Sequence, residues 1–479
     1  MTIDRFEYEW AESGDTTEPS DAKKQVGWVG GDRPSIEYLN WLQNRVEEKS
    51  DETIRVVNRD IACSDGITWA QLATKLFTST GDGSSRWSPD LASNIISLGA
   101  TVAINELQLS TYGTDQCNIM ALDIAGREIH VYDPYDLSLV DSSGELAGLP
   151  SGGGETWVAD SFCSDGTYVY VMFTNTNATP DTHYIQAYNI SDWSVKTGWT
   201  ATGTALPGTG SPLTDPLCRN RVIIANATYL ATANAWNDAD SNAMVSIIAI
   251  ADGSILGSGD GSNGYEDPVP TGAICSDGTY VYFGVVDIDG NPGGIDTALI
   301  SNPATGLVSG GDQWIEIAST YTTDMVYIGE HLVCVMTNYP QTQSYIYAVE
   351  TGVNSAQTQS FTIDTNDEYK YMLFGSGIAF DGINVWIRAV DENDMHVLLR
   401  FNPGYLSEQS QSNLPKISEV CERFTVCRTD KIGNTTNPDE GIYQTPVLFD
   451  GTHIWTVIET DLAETRTGDL VRLAVPSAR

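Results

Sequence analysis

Two stretches of the chain are nearly identical and decide the fold: CSDGTYVYVMF at 163–173 and CSDGTYVYFGV at 275–285. In each, an Asp-Gly pair tolerates the positive φ of a tight turn. The β-branched and aromatic residues after the turn alternate with a period of two, which indicates a strand. Further copies are AFDGINVWIRA at 379–389 and LFDGTHIWTVI at 448–458. The sequence is therefore built from a repeated pair of strands joined by a turn.

The repeat continues over most of the chain, with weaker copies at 102–111, 224–233 and 327–336. A further strand follows in most units, as in YIQAYNISD at 184–192. Units of about 50 to 60 residues with several strands each are typical of a β-propeller. We therefore predict an all-β fold, a seven-bladed β-propeller with six or eight blades as alternatives, whose Asp-Gly repeats are structural. The turn positions taken as equivalent are Asn105, Asp165, Asn226, Asp277, Gly329, Asp381 and Asp450.

The last repeat ends near Val475 with the strand DLVRLAV and leaves no room for an outer strand. A ring needs this strand, because an unpaired sheet edge invites aggregation. The segment NIISLG at 94–99 is the best source for it. We predict that a strand within residues 85–101 pairs with residues 469–475 and closes the ring.

The charge of the chain excludes several kinds of partner. It has 24 Lys and Arg against 64 Asp and Glu, a formal net charge of −40. Binding of nucleic acid or of anionic lipid needs basic residues, so neither is expected. No apolar run is long enough to span a membrane, and the first residues do not form a signal peptide. A Lys-poor, Asp-rich surface suits a saline, halophilic environment, the alternative being an ordinary acidic extracellular protein.

Acidic loops between strands are the candidate metal sites. Oxygen ligands two residues apart suit Ca²⁺, and solvated turn residues are the alternative. Pro292 and Ala298 stand where an EF-hand loop starting at Asp287 would need Gly and Glu. The candidate Ca²⁺ ligands are Asp238, Asp240, Asp287, Asp289, Asn291, Asp391 and Asn393.

No arrangement of catalytic residues stands out in the sequence. The five His residues are scattered, and no nucleophile, zinc or phosphate-loop motif occurs. The eight Cys residues are too sparse for a disulfide scaffold. We therefore assign no catalytic residue and expect that the chain is not an enzyme. Apart from Ca²⁺, no cofactor is expected.

The N-terminal part differs in character from the repeats. We divide the chain into an N-terminal anchor and helix at 1–57, a bridge with the ring-closing strand at 58–100, and the propeller at 101–479. The first part carries more aromatic residues than a free tail would, and aromatic residues among polar ones are typical of interface hot spots. The predicted interface consists of Trp10, Trp28, Pro34, Leu39, Trp41, Leu42 and Val46.

A run of short motifs in this N-terminal part resembles a known family. The motifs include Trp10-Ala11, Glu18-Pro19, Gly27-Trp28 and Asn40-Trp41-Leu42. In this order they resemble the N-terminal segment of tail fibres and related virion appendage proteins of tailed viruses of bacteria or haloarchaea. The resemblance covers under a tenth of the chain. It implies that the N-terminus anchors the protein to the virion and that the distal domain faces the host.

From these features we predict a virion structural protein of a tailed virus, assembled in the host cytoplasm. Its N-terminus would bind other virion proteins, and its propeller would serve as fibre, appendage or receptor-binding domain. A host surface glycan or protein is the expected receptor, and a homo-oligomer is the expected state. The alternatives are a carbohydrate-binding module and a propeller enzyme. Such an enzyme would act on carbohydrate or be a quinoprotein-like dehydrogenase.

Overall fold

A computed structural model describes the strands and many of their connections. The residues described are 95–97, 104–110, 118–123, 126–134, 136–150, 155–175, 182–199, 204–206, 211–212, 220–233, 236–237, 245–259, 268–287, 293–303, 315–317, 320–329, 331–338, 344–351, 361–364, 377–390, 395–403, 421–428, 446–459 and 468–474. The predicted anchor and helix at 1–57 lie outside these residues, as does all of the bridge except Ile95–Ser97.

The described residues form thirty β-strands. In chain order they are β1 (Ile95–Ser97), β2 (Ile104–Ser110), β3 (Asn118–Asp123), β4 (Glu128–Tyr132), β5 (Leu139–Ser142), β6 (Trp157–Ser164), β7 (Tyr168–Asn175), β8 (Thr182–Asn189), β9 (Thr204–Ala205), β10 (Ser211–Pro212), β11 (Arg221–Ile224), β12 (Tyr229–Ala233), β13 (Trp236–Asn237), β14 (Val245–Ala249), β15 (Ile255–Gly259), β16 (Pro268–Ser276), β17 (Tyr280–Asp287), β18 (Gly293–Leu299), β19 (Ile315–Ile317), β20 (Thr320–Tyr327), β21 (His331–Asn338), β22 (Ser344–Glu350), β23 (Phe361–Asp364), β24 (Ile378–Phe380), β25 (Val385–Val390), β26 (Met395–Phe401), β27 (Glu422–Arg428), β28 (Val447–Phe449), β29 (His453–Glu459) and β30 (Gly468–Ala474).

These strands form seven four-stranded antiparallel sheets and one two-stranded sheet, β10–β13, within the described residues. Each four-stranded sheet is called a blade below. Six blades use consecutive segments of the chain. They are blade 1 (β2–β5), blade 2 (β6–β9), blade 3 (β11, β12, β14, β15), blade 4 (β16–β19), blade 5 (β20–β23) and blade 6 (β24–β27).

Blade 7 combines the two ends of the described chain. Its strand order is β1-β30-β29-β28, so that β1 is the outermost strand. Ile95 pairs with Val471, and Ile96 pairs with Leu470. The closing strand predicted within residues 85–101 is thus found, paired with the last strand as expected.

The blades form a closed ring because each packs against the next. The first strand of every blade contacts the first strand of the following one, and β28 of blade 7 contacts β2 of blade 1. Each pair of neighbouring blades also shares a hydrophobic core. Between blades 7 and 1, for example, Trp455 and Leu470 pack with Ile119. The predicted all-β propeller is confirmed, whereas the blade number of the complete chain stays a prediction.

The Asp-Gly turns join the first two strands of a blade at one end of the ring, here called the turn face. In blade 2, Oδ1 of Asp165 accepts the backbone N–H groups of Thr167 at 2.8 Å and Tyr168 at 2.7 Å. Gly166 has a φ of 85°, a conformation that favours glycine. The corresponding glycines of blades 4 to 7 have φ values between 88° and 97°. The structural role predicted for these turns therefore follows from their hydrogen bonds.

Two cations on the turn face connect neighbouring blades. Lys196 of blade 2 donates to the carbonyl of Ile250 in blade 3, and its Nζ lies 4.3 Å from the centre of the Tyr168 ring. Arg472 of blade 7 donates to the carbonyl of Pro134 in blade 1. Its guanidinium lies 5.9 Å from the centre of the Trp455 ring. Each cation thus combines a cation–π contact in its own blade with a hydrogen bond to the next.

Two of the predicted turn positions are wrong. In blade 5, Ile328 corresponds to Asp165 and Gly329 to Gly166, because the N–H of Ile328 donates to the carbonyl of His331 as that of Asp165 donates to Tyr168. Asn105, predicted to be the turn residue of the first unit, lies inside β2. The register of β2 against β3 shifts between Ile104 and Glu106, so Asn105 is the extra residue of a β-bulge. Polar residues between apolar ones predict a turn or a bulge equally well, and the turn was chosen. No helix in the described part of the chain has the length and hydropathy needed to cross a lipid bilayer.

Candidate functional site

Charged side chains from three blades meet inside the ring. Glu106 on β2, Arg221 on β11 and Asp324 on β20 belong to the first strands of blades 1, 3 and 5, and Ser161 on β6 joins them from blade 2. These four residues are called the axial charge cluster below. Ser161 and Asp324 lie near the middle of their eight-residue strands, between the turn face and the opposite end of the ring, here called the loop face.

Irregular strand pairing places three members of the axial charge cluster. The register shifts immediately before Glu106, before Ser161 and before Asp324. A β-bulge adds one residue to a strand and thereby changes the direction in which the following side chain points. The same irregularity at equivalent positions of three blades explains why these polar side chains meet inside the ring.

Arg221 connects the two carboxylates of the cluster. Its Nη1 lies 2.6 Å from Oδ1 of Asp324, and its Nε lies 3.5 Å from Oε1 of Glu106. The side chains of both acids are only 7% exposed. Burial lowers the pKa of Arg221, but the charges of Asp324 and Glu106 outweigh it and leave the pKa raised. Arg221 therefore remains charged, and the buried cluster is an ion-pair network.

Each carboxylate also binds the backbone of the blade that follows it. Oε2 of Glu106 accepts the hydroxyl of Ser161 at 2.6 Å and the N–H of Phe162 at 3.0 Å, both in blade 2. Oδ2 of Asp324 accepts the N–H of Ile378 in blade 6 at 3.1 Å. Ser161 in turn accepts the N–H of Val222 in blade 3 at 3.1 Å. One network therefore joins five of the blades.

Glu106 retains a proton more readily than an ordinary glutamate. Burial raises its pKa, and the charge of Arg221 and the hydrogen bonds from Ser161 and Phe162 lower it by less. The pKa of Glu106 is therefore raised above its usual value. A buried carboxyl group with a raised pKa is suited to donate a proton.

A second polar cluster lies beside the first, between blades 2 and 3. Asn220 donates to Oδ2 of Asp160 and to Oγ1 of Thr174, both at 3.0 Å. Thr174 Oγ1 also contacts Asp160 and lies 2.7 Å from Nδ1 of His183. Burial lowers the pKa of His183 to about 3, so this imidazole is uncharged at neutral pH. These four residues are called the blade 2 cluster.

The two clusters are joined through the backbone, because Asp160 directly precedes Ser161 and Asn220 directly precedes Arg221 in the chain. Asp160 and Asn220 are half-buried, whereas Thr174 and His183 are buried. The site therefore offers a carboxylate, an amide and a guanidinium on half-buried residues, beside a buried acid of raised pKa. Groups of this kind can form hydrogen bonds with a polar ligand, and an acid of raised pKa is suited to proton transfer.

Of the residues predicted from sequence to form sites, Asp287 alone lies among the described residues. The predicted interface residues Trp10, Trp28, Pro34, Leu39, Trp41, Leu42 and Val46 lie outside the described residues. The same holds for Asp238, Asp240, Asp289, Asn291, Asp391 and Asn393. Asp287 is the last residue of β17. Within the described ranges, no group of three or more His, Cys, Asp or Glu side chains is arranged to hold a metal ion.

The sequence contained a weak signal for the axial charge cluster. Glu106, Ser161 and Arg221 are polar residues beside apolar ones in their strands, whereas Asp324 follows two threonines. A charged residue in such a strand needs a partner. The partner could not be identified, because Arg221 is 115 residues from Glu106 and 103 residues from Asp324.

Comparison with known proteins finds structural neighbours but no sequence relative. No protein-family model and no curated protein matches the chain. An oligogalacturonate lyase in complex with manganese matches with 12% identity and a TM-score of 0.35, over 78% of each chain. A prolyl endopeptidase matches with 14% identity and a TM-score of 0.39, over 75% of this chain and 47% of its own. The chain thus spans about half of that endopeptidase, and these identities assign no substrate.

Both neighbours are enzymes, a lyase and an endopeptidase. This finding overturns the expectation that the chain is not an enzyme. Enzymatic activity is accordingly carried forward as a second candidate function.

Proposed function

We propose that the chain is a virion structural protein of a tailed virus. Residues 1–57 would bind other virion proteins, and the propeller would serve as fibre, appendage or receptor-binding domain. The protein would reside in the virion, as a homo-oligomer, with its propeller available to a host surface glycan or protein. The motifs around Trp10, Trp28 and Trp41 support the anchoring role.

The observation that carries this proposal is the position of β1. This strand is the outermost of blade 7, so the preceding residues join the ring at its outer edge. An anchor attached there need not occupy either the loop face or the turn face. The axial charge cluster and the blade 2 cluster would then remain available for a ligand.

The test compares particles assembled with full-length protein, with a 58–479 fragment, and with Trp28→Ala and Trp41→Ala variants. Truncating a central aromatic residue at an interface costs about 2 kcal/mol or more, roughly thirtyfold in affinity. We expect the fragment and both variants to be missing from purified particles, as measured by quantitative mass spectrometry. Circular dichroism of the purified proteins should show an unchanged propeller. Particles that contain the fragment at the normal level would refute the anchor.

A propeller enzyme acting on carbohydrate is the second candidate function. Glu106 favours it, because a buried acid of raised pKa lies 3.5 Å from a guanidinium. Such a pair could protonate a leaving group or stabilise negative charge. The test is turnover of a panel of neutral and acidic oligosaccharides by the purified protein. Glu106→Gln should reduce any turnover about 100-fold or more. The control is Asp136→Asn, which changes a carboxylate in an exposed turn and should leave turnover unchanged.

Calcium binding by the acidic loops is retained as part of the proposal. Asp287, Asp289 and Asn291 are one such set of oxygen ligands. Calorimetric titration with Ca²⁺ tests it, with Mg²⁺ as the control for non-specific attraction to a chain of net charge −40. Equal heats for both ions would remove calcium from the proposal.

A further inference from the structure

Glu106 uses its two carboxylate oxygens for different blades. Oε2 accepts the hydroxyl of Ser161 and the N–H of Phe162, at 2.6 and 3.0 Å, and so binds blade 2. Oε1 faces Nε of Arg221 in blade 3 and the amide of Gln108 on its own strand, each at 3.5 Å. The contacts of Oε2 are thus short, whereas those of Oε1 are long.

Arg221 has a second, shorter partner. Its Nη1 lies 2.6 Å from Oδ1 of Asp324 on the far side of the ring. If Glu106 lost its negative charge, Arg221 would still be paired with Asp324. The positive charge of Arg221 would then be balanced by the carboxylate of Asp324, instead of interacting with two carboxylates.

Few other ionisable groups face Glu106 in the described residues. The neighbouring strand β6 contributes Cys163, whose thiol pKa is raised well above its usual value by burial and by the charges of Glu106 and Asp165. The paired strand β3 ends at Asp123, which lies opposite Ile104. Across the ring stand Arg221 on β11 and Asp324 on β20. The other neighbour, β28, contributes Val447, Leu448 and Phe449, none of them ionisable.

We propose that Glu106 is a proton-operated clasp that ties blade 1 to Arg221 across the ring and releases it when the carboxylate is protonated. The proton goes to Oε1, because Oε2 already accepts two hydrogen bonds. An uncharged O–H at that position is a much weaker acceptor for the Nε–H of Arg221, so Asp324 alone then balances the charge of Arg221. The bonds to Ser161 and Phe162 persist. Protonation therefore opens the link across the ring and preserves the link between blades 1 and 2.

The direction of the stability change follows from the raised pKa of Glu106. The folded protein binds this proton more tightly than the unfolded chain does. The stabilisation that this proton gives the folded protein is complete below the pKa of Glu106 in the unfolded chain. It is lost as the pH rises through the pKa of Glu106 in the folded protein. Acidification should therefore release the clasp without unfolding the ring at this site.

The experiment measures amide hydrogen exchange by mass spectrometry on the intact protein from neutral to acidic pH, corrected for the intrinsic pH dependence of exchange. The wild type should show a pH-dependent rise of about tenfold in exchange of the peptide containing 220–224, with residues 157–164 remaining protected. Glu106→Gln should abolish this transition. Ser161→Ala should move it to higher pH, because the bond from Ser161 lowers the pKa of Glu106.

The matched control is Glu128→Gln, which changes a half-buried carboxylate outside the axial charge cluster and should leave the transition in place. Persistence of the transition in Glu106→Gln would overturn the proposal. If Glu106→Gln fails to fold, the Ser161→Ala variant tests the proposal instead, through the direction in which the pH of its exchange transition shifts. A transition that stays in place or moves to lower pH rules the clasp out.

Discussion

The phenolic hydroxyl of Tyr170 donates a 2.7 Å hydrogen bond to Oδ2 of Asp165, five residues earlier in the chain. The same relationship recurs in three other blades, between Tyr282 and Asp277, Trp386 and Asp381, and Trp455 and Asp450. In each case the other carboxylate oxygen binds the backbone of the turn. One aspartate thus binds both the turn and an aromatic side chain of the following strand.

Tyr170→Phe should lower the stability of the propeller more than Tyr188→Phe. Tyr170 donates to a carboxylate, a bond worth about 1.5 to 3 kcal/mol, whereas Tyr188 donates to the carbonyl of Ala147 at 2.8 Å. A bond to a neutral acceptor is worth about 0.5 to 1.5 kcal/mol. Denaturant unfolding of both variants provides the measurement. Equal losses would show that the turn carboxylate is not a special acceptor.

Gly284→Ala should destabilise the contact between blades 4 and 5. An added Cβ would lie 2.4 Å from Oγ1 of Thr271 and 2.7 Å from Cβ of Thr322. Overpacking of this kind costs about 1 to 3 kcal/mol. Gly257→Ala is the matched control, because its nearest neighbours are side-chain atoms of Pro303 at 3.4 Å. A melting temperature of Gly284→Ala equal to that of the control would contradict the packing.

Thr456→Val should stabilise the protein, whereas Thr232→Val should destabilise it. Both side chains are fully buried. The hydroxyl of Thr456 has no hydrogen-bond partner among the described residues, whereas that of Thr232 accepts the N–H of Ser246 at 3.3 Å. Removing an unsatisfied hydroxyl should gain about 1 kcal/mol, and removing a satisfied one should lose a similar amount. Calorimetric melting distinguishes the two, and changes of the same sign would be the contrary result.

Replacing Ile95–Ser97 by Gly-Ser-Gly should lower the melting temperature by at least about 3 °C, the shift expected for about 1 kcal/mol in a large domain. The replacement lowers the strand propensity of the segment that pairs with Asp469, Leu470 and Val471. Deletion of residues 1–57 is the control and should leave melting unchanged. The closing role of β1 would be refuted if the replacement melted like the control.

The melting temperature should rise with KCl concentration. At a net charge of −40, self-repulsion opposes the compact state at low ionic strength. Raising the salt from about 10 mM to about 1 M shortens the screening length from about 30 to about 3 Å. Sucrose at matched osmolality is the control for general solute effects. A flat response to KCl would favour an ordinary acidic protein over a halophilic one.

Local patterns predicted the propeller well. Asp165, Gly166 and Tyr170 lie within six residues, so the turn and the strand after it could be inferred together. The closing strand followed from counting, because the last unit lacked one strand. The bulge at Asn105 was missed, since a polar residue inside an apolar strand has the same local pattern as a turn.

The axial charge cluster could not be predicted, for the opposite reason. Glu106, Arg221 and Asp324 have no common local pattern, and only the closed ring brings them together. Their approach also depends on the bulges, which the sequence does not mark. The metal prediction concentrated on acidic loops, because spacing along the chain is the only signal that a sequence offers for a calcium site.

The pairing of Ile95 with Val471 also has a consequence for synthesis. β1 emerges from the ribosome before any other described strand, yet its partner is the last of the described strands to be made. Blades 1 to 6 can therefore form in order during translation, whereas blade 7 must wait until β30 has been made. Until then the growing protein carries an unmatched edge at each end. Nascent chains halted before residue 468 should accordingly be the species most prone to association.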